Sequence, residues 1–244
     1  MKRNQVVNLF HRKGKFEQTV INDTIGMMNP WNYRNKSQIP VGLNKEQDAI
    51  MGFYRQRSHD IIDMDECIIQ DSIQNQLMRS IRALLKEHDV SIYNERKKQG
   101  LLRHVIIRVG HVSREVMIIF VTNGKKFKQA KPIVEKLVNA MPNIKSVIQN
   151  INETHSNVIM GKTSKTLYGK DEIIDELDSV EFEISDQSFY QINSSQTVKL
   201  YNQAMKYAQL TGEETVLDTY CGIGTIGLYM ADKAKHVYGV EVVP

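Results

Sequence analysis

The chain has 244 residues, 41% of them hydrophobic and 25% charged, with a formal net charge of +4. That is enough chain to bury a core and to hold two domains of ordinary soluble composition. No apolar run reaches the length of a membrane span and the N-terminus shows no signal-peptide core. The two cysteines lie too far apart in sequence to make a disulfide framework, which fits a reducing cytoplasm.

Residues 2–13 read as a short basic amphipathic helix stopped by Gly14, with Lys2, Arg3, Arg12 and Lys13 on its polar side. Between Pro30 and Pro40 a strand-like segment interleaves Trp31 and Tyr33 with Arg34 and Lys36. Such interleaving suits stacking on bases plus contact with phosphates, and the same aromatics would serve equally as core anchors. Residues 47–57 predict a strand that turns at Gly52 and ends in Arg55 and Arg57. His59, Asp60, Asp63, Asp65, Glu66 and Cys67 crowd the next stretch, but no metal-ligand spacing supports a metal site. A turn-rich loop leading into a helix is the expected reading.

That helix spans about Ser72 to His88, with Ile73, Leu77, Ile81, Leu84 and Leu85 on one stripe. Residues 102–109 and 115–121 predict a hairpin across His111-Val112-Ser113. Lys128 to Ala140 predicts a helix with Ile133, Val134, Leu137 and Val138 inward. Strands are expected at 146–151, 157–160 and 166–168, and acids cluster from Asp171 to Glu183. Strands around two helices make a compact α+β domain over 47–185, preceded by a helix and extended basic segment over 1–46. After a strand at 180–186, Asn193 or Ser194 caps a helix from about Gln196 to Leu210. Its stripe of Val198, Tyr201, Met205 and Ala208 is expected to cover a further sheet.

That sheet begins the third segment, 186–244, and it carries the clearest chemistry. Val216 to Asp218 reads as a strand, Thr225 to Ala234 as a helix, and the residues between them as a glycine turn. A second strand, His236 to Val240, ends on Glu241. Glycines let a ligand approach the backbone N–H groups, and an acid at the second strand tip is where a nucleoside ribose is held. Gly222, Gly224 and Gly227 fit the dinucleotide pattern. Asp218 before the first glycine repels a pyrophosphate, whereas the cationic S-adenosylmethionine suits acids at both strand ends.

The runs Tyr33-Arg34-Asn35-Lys36, Cys67-Ile68-Ile69-Gln70, Leu102-Arg103-His104, Asn157-Val158-Ile159-Met160-Gly161, Phe189-Tyr190-Gln191-Ile192-Asn193 and Asp218 to Gly224 occur in this order. Together they resemble bacterial RNA (uracil-C5)-methyltransferases, most closely the branch acting on 23S ribosomal RNA. The resemblance implies a truncated Rossmann-like α/β methyltransferase domain preceded by a central α+β RNA-binding domain, in a cytoplasmic monomer. It implies that Gln191, Gly222 and Glu241 contact S-adenosylmethionine beside Gly224, that Asp218 organises the loop, and that Arg34, Lys36 and Phe189 meet RNA. Cys67 matches the fourth ligand position of the family's iron–sulfur cluster, whose other three cysteines and N-terminal barrel do not occur here. The nucleophilic cysteine and general base are expected beyond residue 244, so the chain reads as an inactive internal fragment with no catalytic residue of its own. Cys221, in the cofactor loop, reads as a small packing residue. Rival readings are a nicotinamide-dependent oxidoreductase and a catalytically silent RNA-binding protein.

Overall fold

The computed structural model describes residues 1–242. Met1–Pro30 is one compact unit. In it α1 (Lys2–Val7) continues as π-helical turns over Asn8–Lys13, and no residue of either is buried. The chain then folds back, so that Arg3 Nε donates to Ile21 O and the rings of Phe10 and Phe16 lie 6.3 Å apart.

The second unit is built on a seven-stranded mixed sheet. Its strands are β1 (Lys36–Leu43), β2 (Ala49–Tyr54), β3 (Ile61–Asp63), β4 (Leu102–Val109), β5 (Val116–Thr122), β6 (Ile144–Ile151) and β7 (Thr163–Gly169), in the order β3-β2-β1-β4-β5-β6-β7. All neighbours are antiparallel except β5 and β6, which α3 (Ala130–Ala140) joins as a parallel crossover. The expected hairpin is β4–β5. The 36–43 segment, expected outside the central domain, lies between β2 and β4 and pairs with both.

The central strands are buried on both faces. Val105 and Ile107 of β4 and Val116, Ile118 and Phe120 of β5 face α3 and α2 (Ser72–Glu87). The predicted stripes supply the other side of that core through Leu77, Ile81, Leu85, Ile133 and Leu137. Each such side chain, fully buried, contributes about 1.5–3 kcal/mol. Asp71 starts α2 by accepting from Ile73 N at 2.9 Å, and Arg114 of the hairpin turn grips its carboxylate with two 2.9 Å bonds.

The opposite face carries Ile106, Met117, Ile119 and Ile148. It is covered by the hairpin β8 (Glu172–Leu177) and β9 (Val180–Ser185) and by Tyr201 of α4 (Ser194–Ala208). Asn193 caps α4 through Gln196 N at 3.1 Å, as its sequence predicts. Last come the parallel pair β10 (Thr215–Thr219) and β11 (His236–Val240), joined by α5 (Thr225–Ala231). Tyr201 and Val198 pack toward Ile226 and Tyr229 of α5, but Met205 is half-buried and Ala208 exposed, so the expected α4 stripe is covered at one end only.

Four local expectations are corrected. Gly52 makes no turn; it sits inside β2, where an added Cβ would lie 1.8 Å from Ile62 O of β3. Residues 157–160 form a loop, because the Asn152 side chain donates to Val158 O (2.7 Å) and Ile159 O (2.9 Å) and takes the place of a strand partner. The acidic cluster holds β8, where Ile173, Asp175 and Leu177 alternate inward. The turn-rich stretch before α2 contains β3, and its acids Asp63 and Asp65 pair with Arg82 at 3.0 and 2.7 Å.

Candidate nucleic-acid and cofactor interface

Six sequence runs, far apart in the chain, fold into three places. In the first, the chain climbs β10 and turns through Tyr220, Gly222 and Gly224, all left-handed (φ +62°, +55° and +78°). Asp218 closes the turn from inside by accepting from Gly227 N at 3.0 Å. A Cβ on Gly227 would stand 2.9 Å from that carboxylate oxygen, so the third glycine is what allows the approach. From the tip of β11, Glu241 Oε2 accepts from Gly222 N at 2.9 Å. Nothing within 4 Å would meet a Cβ on Gly222, so the turn is open in front. Two carboxylates thus flank an open glycine turn, which fits a ligand with cationic and hydroxyl groups. Cys221 faces away, its Sγ 3.0 Å from the position a Cβ on Gly239 of β11 would take.

In the second place three runs meet, and Asn35 joins two of them. Its Nδ2 donates to Gln191 O (2.8 Å) and Ser194 Oγ (3.1 Å), and its N–H donates to Ile192 O (3.0 Å). Arg34 N donates to Ile69 O and Asn32 Nδ2 to Gln70 O, which brings in the 67–70 run. Opposite Lys36 in register stands Arg108 of β4, whose Nη2 donates to Asp186 O (3.1 Å) and Ser188 O (2.6 Å). This strut presents Phe189, 73% exposed, while the next residue, Tyr190, is buried against Phe182. Burial lowers the Lys36 pKa to about 8, with Arg108 and Arg34 adding to the effect. A lysine kept beside two arginines is a place where an anion relieves repulsion. Arg108 was not foreseen as part of this site; its strand reads as core, and only the register with β1 reveals it. Trp31, left open between stacking and core, is 53% exposed.

Cys67 lies at the entrance to α2, its N–H donating to Asn75 Oδ1 and its carbonyl accepting from Asn75 Nδ2. No group of three His, Cys, Asp or Glu able to hold a metal occurs among the described residues. Those residues therefore do not by themselves fit an iron–sulfur cluster.

The third place joins the 102–104 and 157–161 runs. Arg103 Nη1 donates to Asn152 O (2.8 Å) and Thr154 O (2.7 Å), and its guanidinium lies 4.7 Å from the centroid of Tyr93. His104 beside it is only 7% exposed, and burial, with Arg103 second, lowers its pKa to about 4. Stability should therefore fall with acid between pH 6.5 and 4. In that window the unfolded chain takes up a proton at His104 and the folded one does not, a difference on the order of 3 kcal/mol. Urea melts at pH 7 and 4.5 should show a smaller acid loss in His104→Gln than in the unaltered chain; equal losses would mean His104 titrates normally.

The seven-stranded mixed sheet with its helices is joined to a β10–α5–β11 unit of the Rossmann-like kind, the fold class of S-adenosylmethionine-dependent methyltransferases. Over all its residues the chain is 65% identical to an uncharacterized RNA methyltransferase of Staphylococcus aureus and 66% identical to one of Staphylococcus epidermidis, covering 54% of each. It thus spans about half the length of the curated relatives it matches. No protein-family model matches it. Among solved structures it resembles the Pyrococcus abyssi tRNA (uracil-54, C5)-methyltransferase, in complex with S-adenosyl-L-homocysteine. The TM-score is 0.75 at 26% identity, over 98% of this chain and 56% of that one. The likeness to RNA (uracil-C5)-methyltransferases read from the motifs agrees with RNA methyltransferases as sequence relatives and a uracil-C5 methyltransferase as structural neighbour. No helix among the described residues is long and apolar enough to cross a membrane.

Proposed function

We propose that the protein to which this chain belongs methylates uridine at C5 in RNA, with 23S ribosomal RNA as substrate and S-adenosylmethionine as methyl donor. The observation that carries the reading is the Asn35–Gln191 bond, which fixes the basic 33–36 run beside the 189–193 run. Gln191, Gly222, Gly224 and Glu241 would hold the cofactor, with Asp218 shaping the loop. Bound there, the cofactor supplies the methyl group. Arg34 and Lys36 would hold phosphates, and exposed Phe189 would stack on a base. Uracil C5 is too poor a nucleophile to take a methyl group unaided, and a thiolate adding at C6 raises its electron density. Neither thiol of this chain is assigned that role, since Cys221 faces Gly239 and Cys67 sits at the start of α2.

Two measurements test the reading. S-adenosylhomocysteine should raise the melting temperature of the chain and NAD should not; the reverse would favour an oxidoreductase. Inactivating the gene should remove 5-methyluridine from 23S RNA, and an unchanged level would leave a silent RNA-binding protein or another RNA substrate. On the RNA side, Arg34→Gln with Lys36→Gln should weaken binding of single-stranded RNA and reduce its salt slope by about one to two phosphate contacts. An unchanged slope in the folded variant would reduce these charges to a solvated face.

A further inference from the structure

The cavity beside Arg103 and His104, about 460 Å³ in volume, is lined by Tyr54, Tyr93, His155 and Asn157 as well as by these two. We infer that it is a second nucleotide subsite, taking one unstacked base of the bound RNA away from the base that Phe189 meets. The inference rests on the RNA-binding reading above and adds a location to it.

The backbone is arranged to put two polar side chains in one hole. Successive residues of a strand point to opposite faces, so Arg103 and His104 would ordinarily diverge. The β4–β5 register shifts between Leu102 and His104, an irregularity of the kind that re-aims a side chain, and both residues line the cavity. Both are also 93% buried, being 7% exposed each, yet neither is fully bonded. His104 Nδ1 has no hydrogen-bond partner, and the bonds of Arg103 within the described residues are all made by Nη1. Buried polar atoms are usually paired, so such groups at the wall of a cavity mark a place for a ligand's donors and acceptors.

The walls supply the stacking surface. Tyr54 is 39% exposed at the mouth, edge-on to His59 at 5.7 Å. Tyr93 fixes the opposite side, its hydroxyl 3.2 Å from His155 Nδ1 and its ring under the Arg103 guanidinium. Glu95 lies 3.0 Å from His59 Nδ1 and offsets one of the two positive charges of Arg103 and Lys98, which leaves a surplus of positive charge at the cavity. An aromatic wall, an arginine plane and a surplus of positive charge are the elements that bind an extruded base with its phosphate. Position agrees as well. His104 stands opposite Pro40 as Arg108 stands opposite Lys36, so the cavity lies four residues along β4, roughly 13 Å, from the proposed phosphate contacts. Both open on the face of the sheet away from α2 and α3.

The test uses the whole chain and short single-stranded oligouridylate and oligoadenylate, with binding followed by fluorescence anisotropy across a salt series. Tyr54→Ala should weaken binding about 5- to 150-fold, the range found for losing one base stack, and leave the salt slope unchanged. Val158→Gln, at a lining position that is 61% exposed, should also weaken binding by narrowing the mouth and, being uncharged, should leave the salt slope unchanged. In spectra of the imidazole C–H groups, AMP and UMP should shift the signals of His104 and His155, whereas ribose 5-phosphate should not. Should the unaltered chain bind RNA while both variants bind equally well, the subsite is overturned and the functional reading stands. A chain that binds no RNA at all overturns both.

Discussion

Arg108→Ala is expected to cost about 3–5 kcal/mol of stability and to abolish RNA binding by the chain. The side chain is 3% exposed, and burial lowers its pKa to about 10, with Asp186 opposing that shift. Its Nη2 bonds two carbonyl oxygens, of Asp186 and Ser188, that no backbone partner in the sheet replaces. Truncation would leave the buried Asp186 carbonyl and the part-buried Ser188 carbonyl unpaired beside a cavity, each of the two effects being worth about a kcal/mol or more. The strut also sets the path of 186–189, and hence where Phe189 is presented. Arg108→Lys keeps a charge but loses the planar fork, so it should recover part of the stability and little of the binding. Urea denaturation and anisotropy measure the two effects separately. A loss under about 1 kcal/mol would mean that the loop holds its path without the arginine.

How much of this could be read in advance depended on whether the signal was local. The α2 stripe, the Asn193 cap and the strand–glycine–helix run of the cofactor turn are set by residues within a turn or two of one another, and each folds as its sequence predicts. Elements defined by a partner were misread. Gly52 looked like a turn because glycine usually breaks strands; here it is needed because β3 passes too close for a Cβ. Strand β8 was hidden under acids, since Asp175 is buried with its Oδ1 accepting from Val112 N and takes an apolar position in the alternation. The apolar 157–160 run looked like a strand until Asn152 claimed its carbonyls.

The candidate site divides in the same way. Asp218 and Glu241 were legible because the glycine turn and the two strands lie within thirty residues of chain. The contact between Asn35 and Gln191 spans 156 residues and nothing in either run announces it. Likewise Lys36 could be proposed as a phosphate contact, but its neighbour Arg108 appears only once β1 is placed beside β4. The placement of 36–43 in the sheet is what turns a basic segment into one wall of a site.

Glu241→Ala is expected to weaken S-adenosylhomocysteine binding by about 1–3 kcal/mol, or roughly 5- to 150-fold, by calorimetry. The carboxylate accepts from Gly222 N at 2.9 Å through Oε2 and from Val242 N at 2.8 Å through Oε1. A carboxylate oxygen can accept more than one bond, so holding the glycine turn does not by itself keep Glu241 from accepting a ribose hydroxyl. Alanine removes the ribose contact and frees Gly222, whose left-handed backbone then has one fewer restraint. Glu241→Gln keeps one acceptor oxygen and should fall between the two. Asp218→Asn should act through the turn: it keeps an oxygen for Gly227 N but loses the charge, so the loss should be smaller than for Asp218→Ala. The ordering matters more than any single value. If Glu241→Ala binds as tightly as the unaltered chain while Asp218→Ala does not, the glycine turn is a cofactor site whose ribose is held by some other residue. If neither substitution changes the affinity, the open turn between the two acids is not where the cofactor sits.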